Sequence, residues 1–214
     1  MKSILSIYLI GIFSFFVWGC ANEGAMTSQM SPYSLTIIKP EQDRIRFQGK
    51  GAGAGMMMMG SMGAMGIAIG VAIDEGISKD IQTSAEKEQV YIPDIVEQSL
   101  KRTLERIQGE VIQERFHSPL TLQLKIIRYG FKSAPGDQKD PVSIELQAEI
   151  ISEDGAVFPL NYPFQGETVM TEELEEIKEN GKLIGSIWEQ SLSQLFTTKQ
   201  TEFIEYLSGI QPNT

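Results

Sequence analysis

Few residues in this 214-residue chain could carry chemistry, and they are scattered. Cys20 is the only thiol and His117 the only imidazole. A single cysteine rules out an internal disulfide and leaves its sulfur for other chemistry. A single histidine rules out a histidine-rich metal site within one chain. His117 adjoins Ser118, but neighbours in sequence do not make a proton relay, and the chain has no G-x-S-x-G elbow. A surface-loop position is expected for His117. Glu172, Glu173, Glu175 and Glu176 offer enough carboxylates for an acid–base pair. The start of a helix explains them without special geometry, because its dipole favours negative charge there. Met56 to Met59 supply four thioethers, a donor type that suits Cu(I). Consecutive residues of a helix point in different directions, however, so a shared metal is not expected. The glycines around them do not form a P-loop or a dinucleotide fingerprint. No catalytic residue, metal site or cofactor is therefore expected, and the chain reads as non-enzymatic.

The position of Cys20 gives it a different use. The chain opens MKSILSIYLIGIFSFFVWGC: one basic residue, Lys2, then an apolar run from Ile4 to Val17, then a small residue directly before the cysteine. This is the build of a secretion signal, cut after Gly19. Val17, Trp18, Gly19 and Cys20 resemble the lipobox of bacterial lipoprotein precursors, although Trp18 stands where a small residue is usual. The resemblance implies a diacylglycerol on the Cys20 sulfur and a further acyl chain, such as palmitate, on its amino group. Each buried methylene contributes about 0.8 kcal/mol, so several chains hold a protein firmly on a membrane. Ala21 follows the cysteine, and by resemblance to enterobacterial sorting the lack of aspartate there implies the outer membrane, facing the periplasm.

Charge narrows the partners. The chain carries a formal net charge of −10, and removal of the signal takes away Lys2. An acidic surface repels phosphate backbones, so no nucleic-acid partner is expected.

From Gly51 through Ile73 there is no charge for 23 residues, almost all Gly, Ala or Met. About 20 helical residues cross a bilayer, so length permits a span, but only Ile67, Ile69, Val71 and Ile73 are strongly lipophilic. An independent span is not expected. Gly66 and Gly70 form a GxxxG pair, and Gly60 and Gly63 extend the same side of a helix. A stripe of this kind lets two helix backbones touch. The stretch resembles the glycine-zipper segments of envelope proteins, which implies helix packing at or in the bilayer and, as one outcome, a homo-oligomer. Asp74 lies on the same stripe and should mark one end of the packed region.

The remaining segments position these features. Signal peptide 1–19 and spacer 20–32 precede a short β region, 33–50, then the glycine-rich segment 51–79 and a polar linker 80–91. The body is 92–207, with a tail 208–214. Within the body, Val96, Leu100, Leu104 and Ile107 recur at helical spacing after Asp94 and Glu97, a capping-box pair. Leu120 to Ile126 and Val142 to Ile150 alternate as strands with one buried face. Asp154-Gly155 marks a tight hairpin, and Pro159 and Pro163 demote the next strand to an edge. From Thr171 a stripe of Leu174, Ile177, Ile184, Trp188, Leu192 and Leu195 reads as a terminal helix. The fold class expected is α+β: a small antiparallel sheet packed by two helices, preceded by the glycine-rich helical segment and the lipidated spacer. This layout is similar to that of small periplasm-facing lipoproteins that accompany ABC transporters or outer-membrane assembly machines. The resemblance implies a binding module with an envelope or transporter protein as partner.

Overall fold

The computed structural model describes residues 33–107, 120–133, 141–164 and 169–209. Cys20 and His117 lie outside them, as do the signal peptide, the spacer and Gly109. In chain order the elements are β1 (Tyr33–Ile38), β2 (Arg46–Gln48), α1 (Lys50–Met62), α2 (Ala64–Lys87), α3 (Ile92–Ile107), β3 (Leu120–Ser133), β4 (Pro141–Ser152), β5 (Val157–Tyr162), β6 (Glu172–Glu173), α4 (Leu174–Glu179), α5 (Gly181–Thr198) and α6 (Gln200–Gly209). The fold is α+β.

Strand β4 shows how the sheet is made. Val142, Ile144, Leu146, Ala148 and Ile150 are buried, and the residues between them are only partly so. The opposite face carries ion pairs, Lys125 with Glu149 and Arg128 with Glu145. A sheet with one dry and one wet face alternates in this way. β3 pairs antiparallel with β4, and the β4–β5 hairpin closes at Gly155, whose φ of 83° suits glycine.

The sheet is mixed, where a wholly antiparallel one was expected. β1 and β2 both pair parallel to β3, β1 along Leu120 to Lys125 and β2 along Gly130 to Lys132. Parallel pairing requires a long crossover. Here α1, α2 and α3 supply it.

A second departure lies within β3. The register shifts between Ile126 and Arg128, so Leu122, Leu124 and Ile126 point inward before the irregularity and Tyr129 and Phe131 after it. An extra residue changes parity, and the strand runs on to Ser133 with its apolar side still buried.

The helices are also divided differently from the sequence pattern. Residues 80–87, expected in a linker, continue α2, with Ile81 and Ala85 fully buried. The terminal helical stretch is three helices. The break before α5 is capped by Asn180, whose side-chain oxygen accepts the Leu183 N–H at 3.3 Å. Helix α3 begins two residues before Asp94, which therefore sits in the first turn and is no N-cap; Glu97 pairs with Lys101 at 2.6 Å. Trp188 of α5 fills the centre of the core, with Tyr129 and Phe131 meeting its ring edge-on at centroid distances of 6.4 and 6.3 Å.

A candidate binding cleft at the root of a glycine hairpin

The glycine-rich segment folds back on itself. At Gly63, φ is 57° and ψ −135°, a backbone shape that L side chains resist, and there the first helix stops and the second starts. Helices α1 and α2 then lie antiparallel at backbone contact. A Cβ placed on Gly70 would lie 2.3 Å from the Gly51 carbonyl oxygen, and one on Gly66 would lie 2.7 Å from the Met58 backbone. Gly55 closes the same seam, with 3.2 Å from its notional Cβ to the Gly66 oxygen.

This geometry divides the four glycines of the expected stripe. Gly66 and Gly70 are buried in the seam. Around Gly60 and Gly63 a Cβ would meet nothing within 4 Å. The reason is the turn: Gly60 belongs to α1 and Gly63 to the bend, so they cannot share a face with residues of α2. Gly51 and Gly55 take their place. The pairs Gly51–Gly70 and Gly55–Gly66 are symmetric about residues 60 and 61, a sequence signal for an antiparallel hairpin that a single-helix reading overlooks.

Asp74 ends the seam. Its carboxylate accepts the Gly51 N–H at 2.6 Å and the Gly49 N–H at 3.2 Å, satisfying amides that have no partner inside α1. Just below, the loop before β2 is fastened to α2. The Ile45 N–H donates to Gln82 Oε1 at 2.9 Å, and the Ser78 hydroxyl donates to the Ile45 carbonyl. Asp43, in the same loop, accepts hydrogen bonds from the Tyr129 hydroxyl at 2.7 Å and from Tyr91. Burial, and then the bond to Asp43, push the Tyr129 phenol far above its ordinary value; the same two causes raise Tyr91.

Between the hairpin, β2 and this loop lies a cleft of about 570 Å³. Its apolar wall is Phe47, Met56, Met59, Ile67 and Val71, with the seam glycines at the back. Gln42, Arg44, Arg46 and Gln48 rim one side and Asp74, Glu75 and Ser78 the other. Arg44 reaches Glu75 at 3.7 Å, and the Arg46 guanidinium donates to Gln42 Oε1 at 3.4 Å. An apolar wall with a few polar groups around it suits an apolar side chain or a short hydrocarbon with a polar end.

The other sequence candidates fall elsewhere. Glu172 and Glu173 form β6, and Glu175 pairs with Lys178 at 3.1 Å, which also approaches Asp80 at 3.7 Å. These contacts hold α4 to α2. Met56 to Met59 are all exposed and fan around α1. Among the described residues no cluster of His, Cys, Asp and Glu could hold a metal ion, and no helix is long and apolar enough to cross a membrane. Sequence reading missed the part of β2 and its loop in the cleft, since Arg44, Arg46 and Phe47 meet the hairpin through long-range contacts such as Arg44 with Glu75 and Ile45 with Gln82.

Comparison with protein-family models, curated proteins and solved structures finds no match to this chain.

Proposed function

We propose that the chain is a non-enzymatic lipoprotein of the bacterial envelope, anchored through Cys20 at the outer membrane and facing the periplasm. Its α+β body then acts as a binding module in envelope assembly or transport. The observation that carries this reading is the cleft, whose apolar wall is open to a partner's side chain and whose rim bears both signs of charge. Such a wall gains by being covered, at about 25 cal/mol per Å² of apolar surface.

The rival reading, a homo-oligomer or pore assembled through the glycine stripe, draws less support. Gly66 and Gly70 already face Gly51 and Met58 of the same chain, so the stripe is occupied from within.

Two experiments in cells test the proposal. Radiolabelled palmitate should mark the wild-type protein, and Cys20→Ser should lose the label. A photo-cross-linking residue at Val71, which is 54% exposed in the cleft, should give an adduct with one envelope protein. Charge placed in the cleft by Ile67→Glu should abolish it. An unlabelled wild type defeats the anchoring, and adducts only between copies of the chain defeat the binding module.

A further inference from the structure

The outer surface of the α1–α2 hairpin has properties that neither the cleft nor the seam requires. Met57 is 86% exposed, Met65 62% and Met62 48%, and none of the three lines the cleft. At 3.6 residues per turn, the consecutive side chains of Met56 to Met59 point to every side of α1. A protein partner seated in a groove covers one face. An apolar medium around the hairpin tip covers Met57, Met62 and Met65 together.

The polar groups of the hairpin are arranged for such a medium. Hydrocarbon offers no hydrogen bonds, so backbone groups inside it must be paired within the segment. Here both arms are helical, the Gly63 N–H at the bend donates to the Met59 carbonyl at 3.0 Å, and the Ser61 hydroxyl donates to the Met58 carbonyl at 3.2 Å. Charge is absent from Gly51 through Ile73 and returns at the root, with Arg44, Arg46 and Lys50 on one side and Asp74 and Glu75 on the other. Asp74 is turned inward onto the Gly49 and Gly51 amides, and Glu75 onto Arg44. Arg46 at the root is exposed, on a chain that is otherwise acidic.

Length points the same way. The 13 residues of α1 rise about 20 Å, less than the roughly 30 Å of a hydrocarbon core. We infer that the hairpin is a membrane finger that enters a bilayer without crossing it, with its charged root at the headgroups. The inference rests on the proposed envelope reading for bringing a bilayer near: Cys20 lies 13 residues before Tyr33, a stretch that extends at most about 45 Å.

The test uses the full chain with Cys20→Ser, so that its outcome does not depend on lipidation, which palmitate labelling reads separately. A single cysteine is introduced at Met57→Cys or, as a control on the β4–β5 turn, at Glu153→Cys, and carries an environment-sensitive fluorophore. Vesicles are phosphatidylcholine with phosphatidylglycerol. The dye at position 57 should shift to the blue, lose iodide quenching several-fold and be quenched by nitroxide on the acyl chains, while the dye at 153 stays open to iodide. A second change, Met62→Glu with Met65→Glu, both at exposed positions outside the cleft, should restore iodide access at 57 without altering the far-ultraviolet circular dichroism. Iodide access at 57 in the presence of vesicles overturns the inference. So does shielding that appears without vesicles and grows with protein concentration, which would make the occupant a second copy of the chain.

Discussion

The Gly51 N–H donates to the Asp74 carboxylate at 2.6 Å, across 23 residues of sequence and from one arm of a helical hairpin to the other. The contact does the work of an N-cap with a residue from the partner helix, since Gly49, at the cap position, has no side chain to offer. Asp74→Ala leaves two amides at the start of α1 without this acceptor and removes a negative charge from the positive end of the helix dipole. The expected loss is about 1 kcal/mol, as for other cap deletions. It should be local: amide hydrogen exchange accelerates in α1, while β3 and β4 keep their protection.

The seam predicts opposite outcomes for glycine-to-alanine changes in one helix pair. Gly70→Ala drives a methyl group against the Gly51 carbonyl, where the notional Cβ lies at 2.3 Å, and the arms must part. Overpacking of this kind costs about 1–3 kcal/mol. Gly60→Ala meets open space and gains up to about 1 kcal/mol of helix propensity. Limited proteolysis of the hairpin should therefore speed up with Gly70→Ala and slow down with Gly60→Ala. Equal behaviour of the two variants would contradict the antiparallel seam.

The contrast between these glycines shows where sequence reading stops. Alternation in β4 and the helical spacing of Val96 to Ile107 depend on one buried face each, and a local pattern suffices to read them. The seam depends on which glycines meet after a reversal at Gly63, a matter of three-dimensional pairing, so Gly60 and Gly63 were expected in a contact that Gly51 and Gly55 make. Nor could local pattern reveal that β1 and β2 run parallel to β3, because the crossover that allows it is a long-range fact. The same holds for the cleft, whose two walls come from segments on either side of α1. Asp74 was legible as the end of the packed region because a carboxylate on an apolar stripe must find either water or a donor. Its donors, the first amides of α1, became identifiable only with the hairpin.

Alkaline pH should weaken the body through Tyr129. This residue is 3% exposed, and its phenol is raised well above the ordinary 10.0 by burial and by donation to Asp43. The folded protein thus holds a proton that the unfolded chain releases near pH 10.0. The stabilising contribution is complete below that pH and is lost as pH rises through and beyond it. Tyr91, raised for the same reasons, adds to the slope. Urea midpoints measured at increasing alkalinity should fall, and Tyr129→Phe should flatten the fall while lowering stability at neutral pH through the lost hydrogen bond. A slope unchanged by Tyr129→Phe would assign the alkaline transition elsewhere.

Trp188 separates ring from hydrogen bond. Its side chain is fully buried against Tyr129 and Phe131, yet its indole N–H has no partner among the described residues. Trp188→Ala empties a large volume at the junction of α5 and β3 and should cost about 3–5 kcal/mol. Trp188→Phe keeps an aromatic ring for the edge-on contacts and removes a donor whose burial is itself unfavourable, by about 1–3 kcal/mol when unpaired. The smaller ring leaves a partial cavity that offsets part of this gain, so the phenylalanine variant should lie much closer to wild type than to the alanine variant in chemical denaturation. If the two variants unfold at the same denaturant concentration, the indole N–H makes a hydrogen bond that matters more than the packing of its ring.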